Sequence, residues 1–333
     1  MNLRDSHTNR GPRFPKSWVV LISLLAILTP TARTETRAQE PEDVVRVRID
    51  LVAVPVIVVD GSNHRISDLK REDFLLSNDG QNAKIEYFAS GAQRVALAFL
   101  LDNSGSLREQ LRRQRDAALA LCSRFGAGSS VAIINFGARA SVATPFTADL
   151  EKARLAFLGP TTISERTAIF DAALIAVDTF RSRAVNVAER RIAILISDGL
   201  DTASAATAQN VIQSALRANV SFYVIQLPLF TPRDGRLVAR PAAKGFRDLA
   251  QKTGGKYFVA GSVQTALNPD APIDLTPVFA AIEDDLRSQY VLGFYPGEGS
   301  RDARAHTVAV SLANPKHARL WVRQLRTTYE LKR

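Results

Sequence analysis

Three oxygen-bearing side chains follow an apolar strand near residue 100. Residues 96–101 are all apolar, and Asp102, Ser104 and Ser106 come directly after them at every second position. Side chains with this spacing in one loop can point their oxygens at a single cation. Oxygen ligands in a near-octahedral set suit Mg²⁺ or Mn²⁺, whereas zinc favours nitrogen and sulfur. The spacing therefore predicts a site for one hard divalent cation.

A second apolar strand ends in an acid in the same way. Residues 191–199 read Arg-Ile-Ala-Ile-Leu-Ile-Ser-Asp-Gly, which places Asp198 at the end of the strand. Uninterrupted apolar runs of this length are typical of strands covered on both faces, as in parallel α/β sheets. In open sheets of this kind, ligands bind outside the carboxyl ends of the strands. We therefore expect Asp102 and Asp198 to belong to one site.

These residues resemble a known type of metal site. The run Asp102-Asn-Ser-Gly-Ser resembles the metal-ion-dependent adhesion site of von Willebrand factor type A (VWA) domains, whose signature is Asp-x-Ser-x-Ser after the first strand. Residues 165–173 (Glu-Arg-Thr-Ala-Ile-Phe-Asp-Ala-Ala) resemble the threonine loop of the same family, which opens a helix. The resemblance implies that Thr167 supplies a further hydroxyl ligand.

The resemblance also implies a role for each ligand. The hydroxyls of Ser104, Ser106 and Thr167 would bind Mg²⁺ or Mn²⁺ directly, and the carboxylates of Asp102 and Asp198 would act largely through bound waters. Few charges then neutralise the ion, and one coordination position stays open to solvent. In the family, that position takes a Glu or Asp carboxylate from a partner, so we expect metal-dependent binding of an acidic residue.

Four neighbouring residues complete the candidate site. Arg166 stands where relatives usually carry glycine, and three interpretations stay open: a distorted loop with weak metal affinity, a cation beside the site, or a surface arginine on an unchanged backbone. Asn103 lies inside the Asp-x-Ser-x-Ser motif and is a candidate ligand contact. Asp201 is close enough in the chain to support the ligands. Asp171 is expected to face along its helix or to cap a loop.

Strands and helices alternate between residues 94 and 270. This alternation predicts an α/β fold with a doubly wound, mostly parallel sheet flanked by helices. The expected strands are 95–101, 130–136, 140–146, 191–197 and 220–227, and the expected helices are 107–125, 168–182, 205–218 and 243–253. The resemblance to VWA domains, assigned to residues 94–288, implies that strand 140–146 is the antiparallel edge. The segment Pro228–Pro241 is expected to be an exposed loop, either a partner contact or a surface insertion.

Further strands flank that region on both sides. Residues 44–88 alternate in hydropathy between Asn/Asp-Gly turns, which is typical of an antiparallel meander. After a helix at 274–287, strands are expected at 289–295, 305–312 and 320–329. Neither set alone makes an adequate core. We therefore expect residues 42–92 and 289–333 to form two halves of one β-sandwich, with the VWA domain inserted between them.

The flanking strands carry their own resemblance. Leu51-Val-Ala-Val-Pro-Val, Leu69-Lys-Arg-Glu-Asp-Phe, Asn78-Asp-Gly and Gln289-Tyr-Val-Leu-Gly-Phe-Tyr-Pro resemble a VWA-related family abundant in Acidobacteria. Together with the Asp102 motif, this resemblance covers nearly the whole chain after residue 50. It implies no particular partner.

The first 38 residues have the pattern of a secretory signal peptide. A basic start precedes the apolar run 18–28, and small residues follow it. The run is shorter than the roughly 20 residues that span a bilayer. Cleavage is expected after Ala38, with Ala32 as the alternative, and a retained membrane anchor is the competing interpretation. We expect an exported protein, periplasmic or secreted, and its single cysteine, Cys122, allows no internal disulfide.

The net charge of +10 does not indicate nucleic-acid binding. Residues 1–38 contain six Lys or Arg and two acids, so about +6 remains after cleavage. The remaining basic residues are scattered, and no basic surface with interleaved aromatic residues is evident. The expected partner is an unknown protein or envelope component that presents a carboxylate, and we expect no nucleic acid. Membrane contact is expected only if the signal segment is retained.

Two classes of enzyme are disfavoured. Phosphatases of the haloacid-dehalogenase type need a second Asp two residues after the nucleophile, where this chain has Ser104. No Gly-x-Ser-x-Gly motif is present, and His7, His64, His306 and His317 lie away from the strand-end loops in the sequence. We expect a binding or adhesion module and no enzyme. The alternatives are an envelope assembly protein whose metal only staples loops or whose site is degenerate, and a Mg²⁺-dependent hydrolase.

Overall fold

A six-stranded sheet forms the centre of the molecule. The structure, a computed structural model, describes residues 51–92, 94–103, 115–158, 163–183, 189–268 and 273–331. The sheet contains β6 (Arg94–Asp102), β7 (Ser130–Phe136), β8 (Ala140–Thr147), β9 (Glu189–Ser197), β10 (Val220–Gln226) and β13 (Tyr257–Val259). Its order is β13-β10-β9-β6-β7-β8, in which all neighbours are parallel except β8, which pairs antiparallel with β7 at the edge. The predicted sheet and its antiparallel edge strand are confirmed.

Helices cover both faces of this sheet. They are α1 (Arg115–Ser123), α2 (Leu150–Leu158), α3 (Ile169–Arg181), α4 (Ala208–Ala218), α5 (Phe246–Thr253), α6 (Val263–Leu267) and α7 (Thr276–Arg287). Strand β6 shows why both faces must be covered, because every residue from 95 to 102 is buried. Phe99 belongs to the core shared with α1 and α7, and Leu100 to the core shared with α3, α4 and α5. Because successive side chains of a strand alternate in direction, a continuous apolar run requires this doubly wound arrangement.

The flanking strands form two further sheets. They are β1 (Val52–Val59), β2 (Arg65–Ile66), β3 (Phe74–Asn78), β4 (Gln81–Ala83), β5 (Tyr87–Ser90), β14 (Gln289–Phe294), β15 (His306–Leu312), β16 (Trp321–Gln324) and β17 (Thr328–Tyr329). One sheet has the order β16-β1-β14-β5, with β2 paired to β1, and the other has the order β17-β15-β3-β4. Their apolar faces share one core. Both sheets combine strands from the two ends of the chain, as predicted for a β-sandwich.

The predicted antiparallel meander within residues 44–88 is wrong. Strand β1 pairs with β14 and β16 from the C-terminal segment, and β3 pairs with β15. Only the short pairs β1–β2 and β3–β4 join strands close in sequence. Alternating hydropathy identifies strands but not their partners, and here each N-terminal strand needs C-terminal strands to complete its sheet.

The expected exposed loop at 228–241 contains a hairpin. Strands β11 (Phe230–Arg233) and β12 (Arg236–Ala239) pair around Asp234 and Gly235, whose φ angles are 50° and 75°. Asp-Gly is a strong signal for a two-residue hairpin turn. The strands were not predicted because they are mostly exposed and carry Pro232. Helix α2 and the short elements β13 and α6 were not predicted either.

No helix within the described ranges is long and apolar enough to cross a membrane. The predicted signal peptide, residues 1–38, lies outside the described residues, as does the part of the predicted helix 107–125 before Arg115. The described part of that helix ends at Ser123.

Candidate functional site

Asp102 and Asp198 lie at the carboxyl ends of adjacent parallel strands. Asp102 is the last residue of β6, and Asp198 directly follows β9. Leu101 pairs with Ile196 across the two strands, so Asp102 lies opposite Ser197 at the same edge of the sheet. Asp102 has no exposed surface, and Asp198 is 7% exposed. Two acids are therefore held at one sheet edge, largely out of contact with water.

Ser197 orients the first of these acids. Its hydroxyl donates to Oδ2 of Asp102 at 2.6 Å and accepts a hydrogen bond from the Gly199 amide at 3.2 Å. Sequence reasoning missed Ser197, although its signal was present as the small polar residue that closes an apolar strand directly before Asp198. The Gly199 amide holds the Ser197 hydroxyl from one side, so the hydroxyl proton points at Asp102. This hydrogen bond orients the Asp102 carboxylate.

A tight turn orients the second acid. The Leu200 amide donates to Oδ1 of Asp198 at 2.8 Å, and the Gln226 side chain donates to the Asp198 carbonyl at 3.1 Å. Gly199 completes the turn with φ of 88°, in the left-handed region that glycine adopts without steric cost. A Cβ at Gly199 would also approach the Cβ of Ala242 to 2.8 Å. Glycine is thus required at position 199 of this turn.

The two acids oppose each other's ionisation. Burial raises the pKa of Asp198, and the nearby charge of Asp102 raises it further, while the hydrogen bond from Leu200 partly offsets both effects. A buried carboxylate beside another carboxylate is costly in its charged form. A divalent cation between such groups would remove that cost, so the electrostatics of the pair fit a metal site.

Thr167 is brought to the same edge by contacts with the loop after Asp198. Its side chain is buried, with 6% exposure, and it lies two residues before α3 begins at Ile169. The Thr167 amide donates to the hydroxyl of Thr202 at 2.8 Å. Its carbonyl accepts from the amides of Thr202 and Ala203 at 2.8 and 3.0 Å. The threonine loop and the loop after β9 are therefore joined through both backbone and side chain.

Asp201 and Asp171 hold these loops rather than reach into the site. Oδ1 of Asp201 accepts from the Ile169 amide at 2.8 Å and from the Ser204 hydroxyl at 2.6 Å, so it caps the first turn of α3. The carboxylate of Asp171 accepts from the amides of Ala205 and Ala206 at 3.1 and 2.8 Å. Asp171 thus caps a loop, which is one of the two roles expected for it.

Arg166 is exposed and its backbone is not strained. The described non-glycine residues with positive φ are Asn63, Asp79, Asn219, Asp234 and Ala303, so Arg166 does not occupy a conformation that requires glycine. Its carbonyl accepts from the Ser164 hydroxyl at 2.7 Å. These observations favour the surface arginine on an unchanged backbone among the three interpretations.

A different glycine provides the close approach in this loop. A Cβ at Gly137, after β7, would lie 2.4 Å from the Cβ of Ser164. The Gly137 carbonyl accepts from the Ala168 amide at 2.7 Å, and the hydroxyl of Ser164 accepts from the Ala138 amide at 2.9 Å. Gly137 therefore lets the threonine loop lie against the end of β7.

Asn103 links the loop after β6 to the same structure. Its amide donates to the Phe136 carbonyl at 2.8 Å, and its carbonyl accepts from the Ser164 amide at 3.4 Å. Ser104 and Ser106 lie outside the described residues. The structure thus brings together Asp102, Asn103, Thr167, Asp198 and Asp201 at one edge of the sheet.

The donor set is made of oxygens. Within the described ranges, no group of three His, Cys, Asp or Glu side chains is placed to hold a metal ion. A metal at this edge would therefore bind between two carboxylates and the hydroxyls of Thr167 and the predicted serines. Such a set suits a hard cation such as Mg²⁺ or Mn²⁺.

Comparison with known families supports the fold assignment. Residues 97–200 match the model of the von Willebrand factor type A domain. The match begins in β6 and ends just after Asp198, so it contains the whole candidate site except Asp201. Comparison with curated proteins gave no match.

Several solved structures are similar in part. An aerotolerance-related membrane protein from Bacteroides fragilis shares 18% identity, covering 58% of this chain and 98% of that one, with a TM-score of 0.43. Proximal thread matrix protein 1 from the mussel byssus shares 14% identity, covering 64% of this chain and 50% of that one, with a TM-score of 0.46. That structure has zinc in its metal-ion-dependent adhesion site (MIDAS) motif. A von Willebrand factor type A protein from Catenulispora acidiphila shares 12% identity over 85% and 74%, with a TM-score of 0.45.

Proposed function

We propose that this protein is a metal-dependent binding module of the VWA type. Asp102, Ser104, Ser106, Thr167 and Asp198 hold one Mg²⁺ or Mn²⁺ ion, and the ion binds a carboxylate of a macromolecular partner. The observation that carries the proposal is the burial of Asp102 and Asp198 side by side at the carboxyl ends of β6 and β9. The match of residues 97–200 to the VWA domain supports it.

Hydrogen bonds from the protein's own residues prepare the site. Ser197 and Leu200 fix the carboxylates of Asp102 and Asp198 by hydrogen bonds. Thr202 fixes the backbone of Thr167 before an ion enters. When bound, the cation supplies a strong attraction for an acidic side chain. Because neutral hydroxyls replace further acids, the bound ion keeps positive charge for a partner's carboxylate.

We further propose that the protein acts outside the cytoplasm, within the VWA-related group abundant in Acidobacteria. The signal-peptide pattern of residues 1–38 supports export to the periplasm or beyond. The partner in this proposal is a protein or envelope component with an exposed Glu or Asp. In this proposal the module works by binding and not by catalysis. The described histidines pair with other acids, His64 with Asp60, His306 with Asp79 and His317 with Asp73.

Calorimetric titration with Mg²⁺ and Mn²⁺ tests the metal site. We expect saturable binding of one ion, and we expect the double variant Asp102→Ala/Thr167→Ala to lose it. Glu151→Ala is the matched control, because Glu151 is an acid with 78% side-chain exposure on α2, away from the strand ends. No binding by the unaltered protein would overturn the proposal.

A second measurement tests the carboxylate contact. A dansylated peptide with one Glu should bind in the presence of Mn²⁺, and EDTA or replacement of that Glu by Gln should remove the binding. A protein that binds the metal but gives the same weak signal with both peptides would instead use the ion only to staple its loops.

A further inference from the structure

A groove lies directly beside the turn that carries Asp198. It has a volume of about 510 Å³ and is lined by Gln226 and Val259, the last residues of β10 and β13. The Gln226 side chain donates to the Asp198 carbonyl at 3.1 Å. Ala243, which also lines the groove, donates from its amide to the Gly199 carbonyl at 2.8 Å. The groove and the candidate metal site are therefore neighbours at the same edge of the sheet.

Apolar and aromatic side chains form much of the groove. The hairpin side contributes Pro228, Phe230 and Pro241, and β13 contributes Tyr257 and Val259. Val259 is 55% exposed, and Phe230 and Tyr257 are half-buried. These surfaces are contiguous within one groove instead of being scattered singly, which is typical of interaction sites. The groove can therefore take an apolar side chain.

The charged residues described in the lining are both arginines, Arg240 and Arg247. Both are exposed, and within the described residues neither side chain forms an ion pair. The acid that follows Arg247 in the chain, Asp248, pairs instead with Lys252 at 2.9 Å. Arg240 interacts electrostatically with Asp198, so Arg247 is the cation that remains for a separate contact. The groove thus presents positive charge without an acid of its own.

The guanidinium group of Arg247 is held in place by stacking. It lies over the ring of Tyr257, 4.6 Å from the ring centroid. The ring is itself fixed, because its hydroxyl donates to Oε1 of Gln226 and its edge packs against Phe246, with centroids 6.3 Å apart. Stacking uses the face of a guanidinium and leaves the N–H groups at its edge for a carboxylate. Arg247 is therefore positioned to bind an acid.

Only two side chains separate Arg247 from the turn at Asp198. Arg247 stacks on Tyr257, Tyr257 bonds to Gln226, and Gln226 bonds to the Asp198 carbonyl. An extended peptide advances about 3.3 Å per residue. A peptide that is bound to the ion through one acid therefore reaches the groove and Arg247 with its next few residues.

We propose that the partner presents its metal-binding acid in an extended segment that also carries an apolar residue, held in this groove, and a second acid, held by Arg247. This inference rests on the metal-dependent function proposed above and names the chemistry of its partner. The positive groove favours an acidic segment over a basic one. Because the contacts are linked along one peptide, the second raises the affinity without a second metal ion.

Calorimetry of the full chain with unlabelled, end-blocked peptides in Mn²⁺ and at low salt tests the proposal. One peptide carries a single Glu. The others add a Leu and a second Glu, which is placed two to five residues to either side of the first. We expect the best of these to bind about tenfold more tightly than the single-Glu peptide, since burial of Leu and one exposed ion pair together supply that much. Replacing its Leu by Gly should weaken it about threefold or more.

Arg247→Gln separates the second contact from the first. It should bind the single-Glu peptide as the unaltered protein does, and the best two-Glu peptide about threefold more weakly, as expected for loss of one exposed ion pair. Arg319→Gln, the same change at an exposed arginine between β15 and β16, should bind both peptides unchanged. All three proteins should bind Mn²⁺ equally, because Arg247 is not a ligand of the ion.

Photochemical crosslinking locates the apolar residue of the peptide. Benzoylphenylalanine in place of Leu should attach, on irradiation in Mn²⁺, to residues 228–230, 239–243 or 257–261, which contain the groove lining. EDTA should prevent the crosslink. A crosslink confined to other segments would place the apolar residue on another surface and would overturn the proposal.

The outcomes distinguish this proposal from the one on which it rests. If the single-Glu peptide binds in Mn²⁺ but Leu and a second Glu add no affinity at any spacing, the groove proposal fails and the metal-dependent function stands. If no peptide binds in Mn²⁺, both fail. The groove proposal also fails if Arg247→Gln binds the best two-Glu peptide as tightly as Arg319→Gln does, or if the Leu-to-Gly peptide loses nothing. Mn²⁺-dependent dimers that Arg247→Gln abolishes would identify a second copy of this chain as the occupant instead.

Discussion

The buried acid Asp285 and the buried pair Asp102 and Asp198 differ in what surrounds them. Asp285, on α7, is 1% exposed. Its carboxylate pairs with Arg65 and lies 2.6 Å from Nζ of Lys256. It also accepts from the Tyr223 hydroxyl at 2.5 Å and from Nε2 of Gln289 at 2.8 Å. The charge of Asp285 is thus compensated by two cationic side chains and stabilised by two neutral hydrogen-bond donors of the protein.

The acids at the sheet edge have a different environment. Asp102 accepts from the Ser197 hydroxyl and Asp198 from the Leu200 amide, and no Lys or Arg in the described residues forms an ion pair with Asp198. Arg240 is close enough to lower the pKa of Asp198, but this effect is smaller than those of burial and of Asp102, which raise it. Hydrogen bonds from Ser197 and Leu200 therefore orient these carboxylates, and within the described residues Asp198 has no ion-pair partner.

The difference indicates that Asp285 supports the fold, whereas the surroundings of Asp102 and Asp198 fit the proposed metal site. Asp285 joins α7 to Arg65 on β2 of the sandwich and to Tyr223 on β10 of the central sheet. It is therefore a connection between the two regions. At the other site, burial and the charge of Asp102 both raise the pKa of Asp198, so the charged form of Asp198 is disfavoured. Under the proposed function, a bound cation would remove this cost.

Loss of the charge at Asp285 should have the largest effect on stability. In Asp285→Asn, Arg65 and Lys256 lose their common acid, and burial already lowers the pKa of Lys256 to about 8. Removing one member of a buried ion pair leaves an uncompensated charge, so we expect a loss of about 3 kcal/mol in the free energy of unfolding. Urea denaturation measures it. Asp234→Asn, the same change at an acid that is 96% exposed in the β11–β12 turn, should change stability by less than about 0.5 kcal/mol.

The same substitution at Asp198 should act in the opposite direction on the metal-free protein. Asp198→Asn removes repulsion with Asp102, so in EDTA we expect the free energy of unfolding to rise by on the order of 1 kcal/mol. Affinity for Mn²⁺ should fall by about a hundredfold, or about 2.7 kcal/mol. Denaturation in EDTA and calorimetry with Mn²⁺ measure the two effects. A metal-free loss as large as that of Asp285→Asn would show that Asp198 supports the fold instead.

The two groups also differ in how far the sequence predicts them. Asp102 and Asp198 are visible because each ends an apolar strand, and parallel strands bring their carboxyl ends to one edge. The cluster around Asp285 joins residues 65, 223, 256 and 289, which lie in four separate segments of the chain. No local pattern links them, because their contact depends on how the sandwich and the central sheet meet.

The roles of the residues that support the site are only partly predictable from the sequence. Thr167 and Asp201 were identified from motif resemblance and closeness in the chain, but their joining hydrogen bonds depend on tertiary structure. The role of Gly137 could not be predicted, since it follows from the distance to Ser164, 27 positions later in the chain. The strand order of the sandwich could not be predicted either, because hydropathy does not encode which strands pair.

A smaller, local change should weaken the metal site without touching any ligand. Gly137→Ala places a Cβ 2.4 Å from the Cβ of Ser164, so the threonine loop must move. Overpacking of this kind costs about 1–3 kcal/mol. We expect a loss near the lower end, together with weaker Mn²⁺ binding, because Ala168 bonds to the Gly137 carbonyl beside Thr167. Gly297→Ala, where the added methyl meets nothing within 4 Å, is the control. Unaltered Mn²⁺ binding in Gly137→Ala would show that metal affinity does not depend on the position of the threonine loop.

The smallest effect should come from an acid whose partner, a histidine, loses its charge as the pH rises. His306 on β15 contacts Asp79 at 2.7 Å and Asp302 at 2.9 Å, and these hydrogen bonds raise its pKa, that with Asp79 most. A histidine with a raised pKa in the folded state adds stability below its unfolded value near 6.5, and this is lost as the pH rises through the folded value. The pKa of Asp79 is lowered, mainly by His306, so its contribution is lost only as the pH falls through that lowered value.

We therefore expect the melting temperature to decline slightly as the pH rises from about 6 to about 9, and His306→Gln to flatten that decline. His64→Gln is the matched control, because His64 also contacts an acid, Asp60 at 3.3 Å, but is 79% exposed. Thermal unfolding across this pH range measures the effect in all three proteins. If His306→Gln declines as steeply as the unaltered protein, the pair at β15 does not contribute, and among the acids compared only the enclosed Asp285 would stabilise the fold through its charge.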